Sequence, residues 1–122
     1  MSRQQEYMAL IRQLRENVPD ISGAMIATVD GLSIATDFPE SEAARIAAMG
    51  ASSIGLGNRI STTTDLGNLS QMMIEGKSEL LVIYMAGPGA ILALRAPIRA
   101  NLGLIRLEGP KAAEKVAELV LA

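Results

Sequence analysis

Apolar residues recur along this chain with two periods, and the order of those periods lays out a fold. Tyr7, Leu10, Ile11, Leu14 and Val18 follow one another at three- and four-residue spacing. That spacing predicts an amphipathic helix over residues 3–17, which Pro19 stops. The apolar run Gly23–Val29 then reaches Asp30-Gly31, a favoured two-residue turn, and returns as Leu32–Ala35, so a hairpin is predicted. A second helical stretch, Ser41–Ile60, is opened either by Asp37, with Pro39 and Glu40 in the first turn, or by Ser41. Thr62–Asn68 is a polar loop. Three strands are expected at Leu69–Glu75, Leu80–Ala86 and Ala90–Ala96, joined by turns at Gly76-Lys77-Ser78 and Gly87-Pro88-Gly89. The last helical region covers about Ile98–Leu121, and Gly109-Pro110 inside it is expected to kink or break it.

Polarity within the strands indicates the layers. Ala24–Val29, Leu80–Ala86 and Ala90–Leu94 are apolar on both alternations, so these strands should be covered on both faces. Leu69–Glu75 carries Gln71 and Glu75 and reads as an edge. The expected architecture is α+β: a five-stranded antiparallel sheet between one middle helix and two terminal helices, in the order α-β-β-α-β-β-β-α. All 122 residues are read as one domain. One helix cannot cover a five-stranded face, so a second copy of the chain is expected to finish it and to cover the edge strand.

The middle helix is unusual in being lined with small residues nearly all the way round. At 100° per residue, Ile46, Met49, Gly50, Ser53, Leu56, Gly57 and Ile60 form the stripe expected to face the core. Ala43, Ala44, Ala47, Ala51, Ile54 and Gly55 form a second stripe beside it, leaving Arg45, Ala48, Ser52 and Arg59 for water. A glycine inside a helix costs about 1 kcal/mol relative to alanine, a cost more easily tolerated where something lies close to the backbone. The second stripe is therefore expected to be a docking surface.

Composition narrows the chemistry. Hydrophobic residues make up 49% of the chain but aromatics only 2%, so the core must be aliphatic. There is no His and no Cys, which removes the His-based general base, the Cys nucleophile, zinc sites built on nitrogen or sulfur, and disulfides. No enzyme activity, cofactor or metal is expected. A net charge of −2 gives no electrostatic reason to bind nucleic acid. The charged N-terminal helix does not resemble a signal peptide, and the longest apolar run, Leu80–Leu94, is short and split by Gly87-Pro88-Gly89, so no membrane span and a cytoplasmic location are expected. Gly55-Leu56-Gly57 and Gly87-Pro88-Gly89 continue into neither phosphate-loop pattern. Asp37, Glu40 and Glu42 are read as first-turn acids favoured by the helix dipole rather than as cation ligands. Lys111, Glu114, Lys115 and Glu118 are read as a solvated helix face, and Arg45 and Arg59 as solvated charges or rim contacts rather than arginine fingers.

The segments VPDISGAMIATVDGLSIATD, the Ala-rich helix running into GLGNRI, and the tail APIRANLGLIRLEGPKAAEKVAEL together resemble the roadblock domain. This is the family of the dynein roadblock light chain and of bacterial and archaeal relatives that partner Ras-like GTPases. The resemblance spans about Tyr7–Leu119, and Gly109-Pro110 departs from it. It implies a roadblock/profilin-like fold and a homodimer whose middle helices lie together and whose third strands pair into one sheet, with a small Ras-like GTPase docking on the helix-pair side. The residues expected at the dimer or partner surface are Ala43, Ala44, Ala47, Ala48, Ala51, Ile54, Gly55 and Asn58 of the helix and Leu69, Gln71 and Met73 of the edge strand. The expected function is a non-enzymatic homodimeric platform that binds and regulates such a GTPase. Two alternatives are a small-ligand sensor and a structural subunit of a motor or scaffold. The sensor is disfavoured because Ser53 and Thr28 are the only polar groups read as pointing inward.

Overall fold

The computed structural model describes residues 1–122. It comprises α1 (Arg3–Asn17), β1 (Gly23–Thr28), β2 (Ser33–Thr36), α2 (Glu40–Thr63), β3 (Gln71–Glu75), β4 (Glu79–Met85), β5 (Ala90–Pro97) and α3 (Leu102–Leu121). The five strands form one antiparallel sheet in the order β2-β1-β5-β4-β3. This is the expected element order, with β3 at one edge.

Local chemistry starts each helix. Ser2 caps α1 through a capping box: its hydroxyl accepts from the Gln5 N–H at 3.1 Å and the Gln5 side chain accepts from the Ser2 N–H at 2.8 Å. α3 begins at Leu102 rather than Ile98, because Asn101 provides the cap by accepting from the Leu104 N–H at 3.0 Å. Neither Asp37 nor Ser41 caps α2, which follows Pro39 without a side-chain cap. Asp37 instead accepts from the Ala24 N–H at 2.8 Å and pairs with Arg15, tying the β2 end to β1 and α1.

Two other expectations are corrected. The break expected at Gly109-Pro110 does not occur: Leu102–Leu121 is a single helix with Pro110 inside it. Gly109 faces the sheet and a Cβ there would come within 2.5 Å of the Tyr84 ring, while exposed Pro110 turns its missing hydrogen bond to solvent. The β1–β2 connection is also longer than two residues. Val29–Leu32 form it, with Gly31 at φ +96°, and the β1–β2 register shifts between Ile26 and Ala27.

α1 and α3 cover one face of the sheet and α2 the other, but the two layers are unequal. Twenty buried side chains form the core under α1 and α3 and nine the core under α2, so the α2 side is the thin one. Burying each large aliphatic such as Ile11, Ile26 or Leu92 is worth roughly 1.5–3 kcal/mol. On the thin side α2 packs on β1, β2 and β5, so β4 and β3 lie largely beside it.

Candidate functional site

α2 meets the sheet through its smallest residues. Its buried positions are Ala43, Ala47, Gly50, Ile54, Gly57 and Ser61, a stripe rotated from the expected one. The reason is backbone proximity: a Cβ on Gly50 would lie 3.3 Å from Ile91 Cδ1, and one on Gly57 only 2.5 Å from Met72 Sδ. Larger side chains cannot enter that gap, so Met49, Leu56 and Ile60, all expected inside, stand outside at 63%, 57% and 50% exposure. Ala43, Ala47 and Ile54 accordingly belong to the core of this chain. Ala44, Ala48, Gly55 and Asn58 face solvent, together with Arg45, Ser52 and Arg59. Ala51 is half-buried because the hairpin turn rests on that part of the helix, with the Gly31 Cβ position 3.4 Å from Ala48 Cα and 3.7 Å from Ala51 Cβ.

Gly55 has no such intrachain explanation. Nothing lies within 4 Å of its Cβ position. An outward helix glycine costs about 1 kcal/mol and here returns nothing to the isolated fold. Its neighbours on the helix surface are Ala51, Ser52, Asn58 and Arg59, the flank of α2 on the side of the hairpin turn.

The β3 edge adjoins this surface. The Met85 N–H donates to Ser70 C=O at 3.0 Å and the Gly76 N–H to Glu79 C=O at 2.9 Å, so the even-numbered residues of β3 turn their backbone groups toward β4. Alternation leaves the N–H and C=O of Gln71, Met73 and Glu75 pointing out of the sheet edge. Their side chains lie on the α3 face, where Met73 packs against the core, while Met72 and Ile74 point to the α2 face. Leu69 precedes the strand and packs beneath the end of α2 against Gly57.

Between α2 and the outer strands runs an open groove of about 470 Å³, lined by Phe38, Glu42, Ile46, Met49, Gly50, Ser53, Ile74, Leu81, Ile83 and Arg95. Arg95 is the group that sequence reasoning passed over. Its guanidinium lies 4.9 Å from the Phe38 ring centre, and its Nε donates to Ser22 Oγ at 3.1 Å and lies 3.4 Å from Glu79 Oε1. Ser22, Phe38 and Glu79 are distant in sequence, so no local pattern marks Arg95 as part of the groove. Thr28 is at the turn instead, where its Oγ1 accepts from the Leu32 N–H.

The arrangement of a thin α2 layer, an apolar helix exterior and an unpaired β3 edge can now be set beside known proteins. The Roadblock/LC7 domain pattern matches residues 8–96. The chain belongs to the Roadblock/LC7 domain family. This roadblock domain is 38% identical over 97 residues to an uncharacterized protein of Methanocaldococcus jannaschii, MJ1340, covering 79% of this chain and 84% of that one. Its fold is similar to the Roadblock/LC7 domain from Streptomyces avermitilis, with a TM-score of 0.87 and 25% identity over 93% of this chain and 97% of that one. It is also similar in fold to the gliding protein MglB of Thermus thermophilus, with a TM-score of 0.86 and 16% identity over 98% and 91%. No helix of this roadblock domain is long and apolar enough to cross a membrane.

Proposed function

We propose that the chain is a non-enzymatic homodimeric platform that docks and regulates a small Ras-like GTPase. The observation that carries this reading is the exterior of α2. Met49, Leu56 and Ile60 are each at least half exposed along one flank of the helix, an apolar surface of the kind that marks protein contact. Gly55, with nothing within 4 Å of its Cβ position, lies on the opposite flank. The adjoining β3 edge supports the homodimer. Two-fold pairing with Met73 opposite Met73 of the second copy places Gln71 opposite Glu75 and uses every outward backbone group of the strand. It forms three bonded pairs, or about six hydrogen bonds. A slide that sets Glu75 opposite itself would juxtapose two carboxylates, which is destabilising.

Membership of the roadblock family supports the GTPase as the class of partner. The exterior of α2 offers it an apolar surface with Arg45 and Arg59 at hand. The test is calorimetric titration of the purified chain with a Ras-like GTPase from the same genome, loaded in turn with GTP and GDP. Binding that weakens at least tenfold, or by about 1.4 kcal/mol, in Ala48→Arg supports the platform. Undiminished binding in that variant, with the parent's circular dichroism, refutes α2 as the docking surface.

A further inference from the structure

The outer ridge of α3 carries a pattern that the isolated fold does not use. Leu107, Lys111, Glu114, Glu118 and Leu121 are all exposed and follow one another at alternating four- and three-residue spacing, so they lie on one line along the helix. Lys115 stands beside that line. The ion pairs of the chain involve none of these charges, and Leu107 and Leu121 are 53% and 73% exposed. α3 packs on α1, β5 and β4, on the sheet face opposite α2, so the proposed β3-paired dimer leaves the ridge open.

The order of charges along the ridge is self-complementary. Laid antiparallel on a second α3 about a two-fold axis between residues 114 and 115, it sets Lys111 opposite Glu118 of the other copy and Glu114 opposite the other Lys115, each pair occurring on both sides of the axis. Sliding by one heptad either way puts Lys111 on Lys111 or Glu118 on Glu118, and parallel packing in register puts every charge on its own kind, so one register is favoured. That register also brings Leu107 opposite Ala122. Ala122 borders an open cleft of about 480 Å³ between the ends of α1 and α3, with Ala9, Leu10 and Leu119 among its walls. Leu107 of each copy is thus placed to enter the cleft of the other. Exposed ion pairs are individually weak, so the charges select the register while burial of Leu107 supplies attraction.

We propose that α3 binds α3 of a second copy in this antiparallel register, joining β3-paired dimers through the face opposite α2. Two helices bury too little surface for a tight complex, so the contact forms at protein concentrations well above those that populate the β3 pair.

The test is sedimentation velocity on the full chain over a rising concentration series. Dimers are expected to give way to tetramers at low salt, and added salt to reverse that step. Lys111→Glu, Glu118→Lys and Leu107→Ser should each weaken the step at least tenfold, while Lys111→Glu combined with Glu118→Lys should return it to the parent's level. Recovery singles out a contact between copies, because the two residues lie a full heptad apart on their own helix. All three positions are exposed, so circular dichroism should match the parent's. Met73→Pro separates this contact from strand pairing: with the β3 edge blocked, association through α3 should persist as a weak, salt-sensitive dimer. A parent chain that shows no salt-sensitive association beyond the β3 pair overturns the proposal. So do single variants that associate like the parent, and so does a double charge swap that stays as weak as the single ones.

Discussion

Replacing Met73 with proline separates the pairing edge from the fold. In the isolated chain the Met73 N–H points away from β4 and bonds to nothing in the sheet, so proline, tolerated at sheet edges, removes no intrachain hydrogen bond. In the proposed two-fold pair the Met73 residues exchange two hydrogen bonds, and proline in both copies removes both. At about 0.5–1.5 kcal/mol each, the loss is about 1–3 kcal/mol, or about 5- to 150-fold in dimer dissociation constant. The two rings facing each other add to this. Met72→Pro is the control: Met72 turns its N–H toward Ile83 of β4, so proline there should damage the fold itself. Sedimentation velocity across a concentration series measures the dimer, and circular dichroism with thermal melting measures the fold. The reasoning fails if Met73→Pro folds and dimerises like the parent, or if Met73→Pro unfolds while Met72→Pro does not.

Three further outcomes follow from the same geometry. Gly55→Arg should raise stability by about 0.8 kcal/mol through helix propensity, seen as a melting temperature higher by a few degrees, yet weaken GTPase binding at least tenfold. Met73→Cys in this cysteine-free chain should oxidise to a covalent dimer on a non-reducing gel, because bonded antiparallel pairs sit about 5.5 Å apart at Cα. Gln71→Cys should not, its copies lying about 14 Å apart at 3.4 Å per residue. Burial holds the Tyr84 phenol above its usual pKa, offset in part by the charge of Arg106. The folded state therefore binds this proton more tightly than the unfolded state, and its stability is intact below pH 10 and declines as pH rises from there toward the folded value. Tyr84→Phe should flatten that alkaline decline in denaturant titrations, and a Tyr84→Phe curve parallel to the parent's would refute the assignment.

The element order, the layers and the edge strand were legible in the sequence because each rests on a local pattern: spacings of three and four in Tyr7–Val18, apolar runs in the central strands, and the polar Gln71 and Glu75 that mark the edge. The orientation of α2 was not. Hydrophobicity ranks Met49, Leu56 and Ile60 as core, whereas the helix sits so close to Ile91 and Met72 that positions 50 and 57 have room only for glycine, and the buried stripe turns to Ala43, Ala47 and Ile54. Size decided where polarity was expected to. Continuity of α3 was hidden for a similar reason. The Gly109-Pro110 pair reads as a break until Tyr84, 25 residues earlier in the sequence, is found occupying the space that the glycine leaves. Arg95 was lost to the same nonlocality, since the partners that aim it come from three separate elements or connections.

The two ends of the sheet differ in what they permit. At the β2 end the strand is four residues long and its register slips against β1, so an incoming strand finds no regular ladder to extend. At the β3 end five residues run in unbroken register with β4. A sheet with one receptive edge that pairs with itself about a two-fold axis exhausts its capacity in a single event. In the proposed dimer, growth along the strand-stacking direction would then have nowhere to continue, and the asymmetry of the two edges would guard an aliphatic, β-rich centre against fibre formation.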